Sequence, residues 1–109
     1  MASPTVIEPR KIRDYLLSPS HPRGGAKREF FASLGYTRDR WHVLAADLRR
    51  QAEHNDAIEA ATTRFGTKYV VQSTIRGPSG TEAEVRSVWI ILVDEDFPRF
   101  VTAYPRSMS

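Results

Sequence analysis

The sequence predicts an α+β domain in which N-terminal helices pack on one face of a four-stranded antiparallel sheet. Helical patterns fill the first half of the chain, and segments rich in valine, isoleucine, threonine and tyrosine begin only after residue 56. The turns between those segments are too short for crossover helices, so the strands should form an antiparallel meander. The length of 109 residues indicates a single domain over 1–109, with an ordered core at about 8–105 and short flexible termini.

Three helices are predicted, each from an apolar stripe with helical spacing. The first spans 8–17, and the second spans 26–34 and ends at Gly35, a residue type suited to the position after a helix. The third runs from 38 to about 54 and has the clearest helical period of the chain. Thr37 precedes this helix, and we expect its hydroxyl to cap it.

Four strands are predicted after the helices, at 58–64, 67–76, 82–93 and 99–104. The second half of the third strand is apolar on both faces, which is typical of a central strand. In the last strand, the period of two places Phe100, Thr102 and Tyr104 on one face, with Val101 and Ala103 on the other. Taken alone, Tyr104 fits a partly buried aromatic residue with a satisfied hydroxyl.

The composition excludes several kinds of site. There is no cysteine, which rules out disulfides, thiolate nucleophiles and cysteine-bound metals. The three histidines lack the spacing of a helical zinc site, so we predict no metal and no cofactor. The longest apolar stretch, 88–93, is too short to span a bilayer, so we expect a cytoplasmic protein with no membrane partner.

Positive charge is concentrated near the N-terminus, although the net charge is only +3. The basic residues of the first thirty are Arg10, Lys11, Arg13, Arg23, Lys27 and Arg28, against Glu8, Asp14 and Glu29. Such a surface is compatible with a phosphate-bearing partner, and an ordinary solvated face is the alternative.

The segment His21-Pro22-Arg23-Gly24-Gly25-Ala26-Lys27 is the most unusual stretch of the sequence. It holds an imidazole, a guanidinium and an ammonium group at the start of a predicted helix, where a phosphate can bind. The spacing of a Walker loop is absent, which argues against nucleoside triphosphate hydrolysis. The alternative is a turn shaped by proline and glycine with no functional role.

Two groups of motifs carry a resemblance to a known family. They are Tyr15-Leu16-Leu17 followed by His21-Pro22 and Gly24-Gly25-Ala26-Lys27, and Thr102-Ala103-Tyr104-Pro105 near the end. Together they resemble a family of small bacterial domains that occur as C-terminal modules of polymorphic toxins or as the toxin halves of toxin–antitoxin modules. The order of helices and strands is also similar to the barnase, EndoU, colicin and RelE (BECR) superfold of metal-independent ribonucleases.

The resemblance implies a metal-independent ribonuclease toxin with a cognate antitoxin or immunity protein as its partner. It implies RNA as the substrate, with tRNA and mRNA as candidates, and delivery into a target-cell cytoplasm if the chain is part of a larger toxin. The competing hypotheses are a non-catalytic RNA-binding or protein-interaction module and a purely structural domain.

Metal-free RNA cleavage requires a base, an acid and cations around the phosphate. We predict His21 as a general acid or base, Lys27 and Arg86 as stabilisers of transition-state charge, Tyr104 as a proton or hydrogen-bond donor, and Thr102 as a phosphate-positioning residue. We predict further RNA contacts at Arg23, Lys68 and Arg76. Arg86 and Arg76 are chosen by charge and strand position alone.

Overall fold

The computed structural model of the protein describes residues 4–18 and 25–106. A short helix α1 (Pro9–Lys11) continues into a π-helical segment (Ile12–Leu16), and the longer helices α2 (Gly25–Ser33) and α3 (Trp41–His54) follow. Four strands then complete the described chain: β1 (Ala57–Thr63), β2 (Gly66–Arg76), β3 (Glu82–Leu92) and β4 (Arg99–Pro105). The predicted α+β class is confirmed.

The four strands form one sheet in the order β1-β2-β3-β4, and every neighbouring pair is antiparallel. The sheet is therefore the predicted meander, and β3 lies between β2 and β4 as its apolar second half indicated. Side chains from the π-helical segment, α2 and α3 meet one face of the sheet in a common core. Its largest fully buried members include Trp89, Phe31, Ile12, Leu16, Leu34, Leu44, Leu48, Val71 and Val85.

A buried chain of hydrogen bonds fixes α3 on this face of the sheet. Gln51 of α3 donates from Nε2 to the Val85 carbonyl oxygen at 2.9 Å, and its Oε1 accepts from the Ser87 hydroxyl at 2.7 Å. The Ser87 oxygen in turn accepts from Trp89 Nε1 at 2.9 Å. Because buried polar groups need partners, these bonds define one position of α3 along β3.

The first helix differs from the predicted α-helix over 8–17. The Leu17 N–H bonds to the carbonyl oxygen of Ile12, five residues earlier, at 2.9 Å, which makes this turn π-helical. The Arg13 carbonyl oxygen, which an α-helix would offer to Leu17, instead accepts a hydrogen bond from Arg38 Nε at 3.1 Å. An apolar stripe that spans only five positions fits an α-helix and a π-helix equally well, so the sequence does not distinguish the two.

The third helix begins at Trp41, three residues later than predicted, and Thr37 does not cap it. The residue before the helix is Arg40, and no side-chain hydrogen bond closes the helix start. The Thr37 carbonyl oxygen accepts from the Arg40 N–H at 3.2 Å, so residues 37–40 form a separate turn. At the end of α2, Gly35 adopts a positive φ of 98°, as predicted for the residue that ends this helix.

A β-bulge at Val101 corrects the predicted faces of β4. Ala103 pairs with Ser87 and Thr102 with Val88, but the next pair is Phe100 with Trp89, which leaves Val101 as an extra residue. Phe100 is therefore buried on the core face, where its ring centroid lies 5.3 Å from that of Trp89. The prediction that Phe100 shares a face with Thr102 and Tyr104 is wrong, because the bulge interrupts the period of two.

The N-terminal segment covers the first part of the edge strand β4. The Val6 N–H donates to the Pro98 carbonyl oxygen at 2.9 Å, and the Phe100 N–H donates to the Val6 carbonyl oxygen at 2.8 Å. The helices α1 and α2 also lie against β4. This arrangement brings residues from the two ends of the chain together.

Candidate functional site

The face of the sheet opposite the core carries Thr102 and Tyr104. Val88 lies between Ser87 and Trp89, both fully buried on the core face, so its side chain points the other way. Thr102 pairs with Val88 across the β3–β4 ladder and therefore shares this second face, which we call the open face. Tyr104, two residues further along β4, lies on the open face as well, and both side chains are partly buried.

Lys27 meets both of these residues from α2. Its Nζ donates a hydrogen bond to the Thr102 hydroxyl at 3.1 Å and another to the Tyr15 hydroxyl at 2.9 Å. The same nitrogen lies 5.1 Å from the centre of the Tyr15 ring and 6.0 Å from the centre of the Tyr104 ring. These four residues, Tyr15, Lys27, Thr102 and Tyr104, form what we call the lysine cluster.

Among the described residues, the Lys27 ammonium has no carboxylate partner. No Asp or Glu of the described residues lies within ion-pair distance of it, and residues 1–3, 19–24 and 107–109 contain neither amino acid. An ammonium group has three donors, and the bonds to Tyr15 and Thr102 occupy two of them. The cluster therefore presents an uncompensated positive charge beside hydroxyl groups, an arrangement suited to an anion.

Arg86 lies next to Tyr104 on the open face, because the two residues are paired in the β3–β4 ladder. On its other side, Gln72 of β2 is paired with Arg86, and Arg86 Nε donates to Gln72 Oε1 at 2.7 Å. Gln72 Nε2 donates in turn to Glu84 Oε2 at 3.0 Å, which fixes the orientation of its amide. Gln72 thus orients Arg86 without neutralising it, and no Asp or Glu in the described part of the chain forms an ion pair with the guanidinium.

A groove adjoins the lysine cluster along the edge of β4. It has a volume of about 580 Å³ and shares Tyr15 and Thr102 with the cluster. Its other lining residues are Arg10, Lys11, Asp14 and Val101. The groove therefore runs from basic side chains near α1 to the hydroxyl groups at Lys27.

The other predicted site residues are not all near this cluster. Lys68 and Arg76 are exposed on the open face of β2, but they lie four residues on either side of Gln72, or about 13 Å along the strand. Arg76 lines a different cavity, between β2 and α3. His21 and Arg23 lie outside the described residues.

Two members of the site were missed by sequence reasoning. Tyr15 belongs to the apolar stripe of the first helix and to the motifs that carry the resemblance, but no role in the site is predicted for it; its ring is partly buried and its hydroxyl meets Lys27. The sequence does contain a signal for Gln72, because its even spacing from Lys68 and Arg76 places the three residues on one face of the strand. Only the register shows that it lies opposite Arg86.

The described residues contain neither a metal site nor a membrane-spanning helix. Within 4–18 and 25–106, no three side chains of histidine, aspartate or glutamate come together as a metal site. None of the helices in those ranges has the length and apolar character that a membrane span requires.

The fold and site define an α+β domain whose open sheet face carries cations and hydroxyl groups. The family model described as Domain of unknown function (DUF6883) matches residues 2–107, and the chain belongs to that family. A chain of the contact-dependent growth inhibition toxin–immunity protein complex from Klebsiella pneumoniae 342 has a similar fold, with a TM-score of 0.75 at 22% sequence identity. That alignment covers 93% of this chain and 99% of the other. None of the curated proteins matches the sequence.

Proposed function

We propose that this protein is a toxin module that cleaves RNA without a metal cofactor, at the lysine cluster and Arg86. One observation carries the proposal. The Lys27 ammonium, which has no carboxylate partner within residues 4–18 and 25–106, hydrogen-bonds to the Thr102 hydroxyl and lies 6.0 Å from the centre of the Tyr104 ring. A phosphodiester is an anion that such a cluster can bind and polarise.

The chemistry would follow the general acid–base route of metal-free RNA cleavage. The 2′-hydroxyl loses its proton to a base as its oxygen attacks phosphorus, and the bond from phosphorus to the 5′-oxygen breaks as that oxygen gains a proton. The products are a 2′,3′-cyclic phosphate and a free 5′-hydroxyl. We assign His21 as the base and Tyr104 as the proton donor to the leaving oxygen.

The cations would act on the phosphate itself. Negative charge builds on its non-bridging oxygens as the pentavalent phosphorane forms, and preorganised donors stabilise this charge better than mobile water does. Lys27 and Arg86 supply such donors from α2 and β3, and Thr102 positions the phosphate beside Lys27. The hydrogen bonds to Tyr15 and Gln72 support this role because they restrict the two cationic side chains before substrate binds.

The toxin role is supported by the fold shared with a chain from a toxin–immunity protein complex. By analogy we propose that a cognate immunity protein or antitoxin neutralises this protein, and that the protein acts in the cytoplasm of a target cell. We propose tRNA or mRNA as the substrate. The predicted RNA contacts at Arg23, Lys68 and Arg76 would hold the parts of the RNA that extend beyond the lysine cluster.

The proposal is tested by incubating the purified protein with total RNA and with a tRNA pool in EDTA. Variants Lys27→Ala, Tyr104→Phe and His21→Ala are run beside the wild type, and circular dichroism checks that each is folded. Tyr69→Phe is the matched control, because Tyr69 pairs with Trp89 on the core face and lies away from the lysine cluster. We expect discrete cleavage by the wild type and by Tyr69→Phe, and none by the other three.

Intact RNA in every lane, with folded wild-type protein, would contradict cleavage of these substrates. If the RNA remained intact but bound to the protein in a salt-dependent manner, the non-catalytic RNA-binding module would be the better account.

A further inference from the structure

Arg28 follows Lys27 on α2 but lines a different cavity. This cavity has a volume of about 320 Å³ and lies between the end of the π-helical segment, α2 and the turn before α3. Arg38 and the exposed residue Thr37 also line it, together with Leu17, Ala32 and Tyr36. The Tyr36 hydroxyl is already used, because it donates to Asp47 at 2.6 Å.

One buried donor of the Arg28 guanidinium is left without an acceptor by the described residues. Its Nε is buried and finds no acceptor within the described parts of the chain. No Asp or Glu in those parts forms an ion pair with Arg28, and the remaining segments of the sequence contain no acidic residue. Buried donors are nearly always paired in folded proteins, so a donor left open beside a cavity points to an absent acceptor.

The charge around this cavity is positive, as it is at the lysine cluster. Arg38 donates from Nη2 to Asp14 Oδ1 at 3.0 Å, and Arg13 donates to the same carboxylate at 3.0 and 3.1 Å. Asp14 is thus shared by two guanidinium groups, and Arg28 adds a third positive charge that has no ion-pair partner in the described part of the chain. An anion in the cavity would be attracted by this excess charge, and guanidinium groups bind phosphate oxygens through paired N–H donors.

We infer that Arg28 and Arg38 bind a second backbone phosphate of the RNA strand whose cleaved phosphate lies at the lysine cluster. This inference rests on the proposed function. The two sites are close along the chain, since Lys27 and Arg28 are consecutive on α2, and Tyr15 of the cluster follows Asp14, the partner of Arg38. Consecutive Cα atoms are about 3.8 Å apart, so the two side chains leave α2 from neighbouring points, as the inference of one strand at both sites requires.

Binding of a non-cleavable RNA tests this second site without relying on activity. The probe is a short single-stranded oligonucleotide with 2′-O-methyl groups at every ribose, and its affinity is measured by fluorescence anisotropy over a series of salt concentrations. For single strands the log–log slope falls by about 0.7 for each phosphate that the protein no longer neutralises. We expect that decrease in Arg28→Gln and in Arg38→Gln, whereas Arg28→Lys, which keeps the charge, retains most of the wild-type slope.

Arg64→Gln is the matched control, because Arg64 is an exposed arginine at the β1–β2 turn, where it stacks on Phe65. Its slope should equal that of the wild type. A wild-type slope in folded Arg28→Gln would overturn the second site while leaving the proposed function intact.

Cleavage provides an independent readout. A dinucleoside monophosphate substrate contains only the reacting phosphate, so Arg28→Gln should cleave it at the wild-type rate, but should cleave the longer RNA with a higher KM. Equal losses on both substrates would place Arg28 in the cleavage site instead and overturn the inference. If the wild type neither binds nor cleaves RNA, the proposed function itself fails.

Discussion

The Lys27 ammonium donates a hydrogen bond to the Thr102 hydroxyl at 3.1 Å and thereby joins positions 75 residues apart in the sequence. One partner lies on the first turn of α2 and the other on the edge strand β4. The β-bulge at Val101 makes this contact available, because it allows Phe100 to enter the core while Thr102 faces away from it. The lysine cluster therefore depends on the geometry of this bulge.

Removing the Thr102 hydroxyl should lower the cleavage rate strongly and the free energy of unfolding only slightly. Thr102→Val keeps the side-chain shape but deletes the acceptor for Lys27, which should cost about 1 kcal/mol of folding free energy. Loss of positioning should lower the cleavage rate by roughly a hundredfold. Urea denaturation and single-turnover cleavage measure the two effects. Thr102→Ser, which keeps a hydroxyl, serves as the control, and an unchanged rate in Thr102→Val would contradict a positioning role.

Arg86 should be needed as a guanidinium and not merely as a positive charge. Arg86→Ala removes a donor to the developing phosphorane charge and should lower the rate by about 10²–10³-fold. Arg86→Lys should recover only part of it, because lysine cannot reproduce the hydrogen bond from Nε to Gln72 at 2.7 Å together with a fork for phosphate. Single-turnover rates of the three proteins check this order. Full activity of folded Arg86→Ala would remove Arg86 from the site.

Ser87 should matter for stability and not for RNA cleavage chemistry. In Ser87→Ala, Trp89 Nε1 loses its acceptor and Gln51 Oε1 loses its donor, both in the buried interior. An unsatisfied buried group costs about 1–3 kcal/mol, so the urea midpoint should fall clearly. Ser73→Ala, a partly buried serine on β2, should stay within about 0.5 kcal/mol of the wild type. Equal midpoints for the two variants would show that the buried hydrogen bonds contribute little.

Asp14 should stabilise the fold at neutral pH and cease to do so in acid. Hydrogen bonds from Arg13 and Arg38 lower the pKa of its carboxyl from 3.8 to about 2. The folded state therefore favours the ionised form, and this stabilisation is present above pH 3.8 and is lost as the pH falls through about 2. Asp14→Asn should thus be less stable than the wild type at pH 7, and the difference should shrink as the pH falls towards 2 and vanish below it.

Thermal unfolding at a series of pH values measures this difference. Asp39→Asn is a suitable control, because Asp39 is exposed and has no ion-pair partner among the residues described. A constant difference between wild type and Asp14→Asn down to pH 2 would show that the ion pairs do not stabilise the folded state.

The fold was predictable because its signals are local and repeated. The helical stripe of α3 and the β-branched and aromatic composition of β2 and β3 each extend over ten or more residues, so tertiary contacts do not override them. The errors occur where one contact changes the local geometry. The Arg13 carbonyl accepts from Arg38 where the first helix is π-helical, and a single extra residue at Val101 moves Phe100 to the other face.

The candidate site was predictable in its residue types but not in its contacts. Lys27, Thr102 and Tyr104 stand in the motifs that carried the resemblance, and the structure brings them together. Their proximity depends on how α2 lies beside β4, which no pattern within either segment specifies. For the same reason the contribution of Tyr15 to the cluster could not be derived from its place in an apolar stripe.

The most direct test of the lysine cluster as an RNA-cleaving site is mass spectrometry of the RNA ends produced in EDTA. Wild-type protein should leave 2′,3′-cyclic phosphates and 5′-hydroxyls, because only attack by the 2′-hydroxyl gives that pair of ends. Folded Lys27→Ala should leave the same RNA intact, and a 2′-deoxy substitution at the cleaved nucleotide should protect it from the wild type. Ends that carry a 5′-phosphate, or the same cyclic ends from Lys27→Ala at the wild-type rate, would contradict the account.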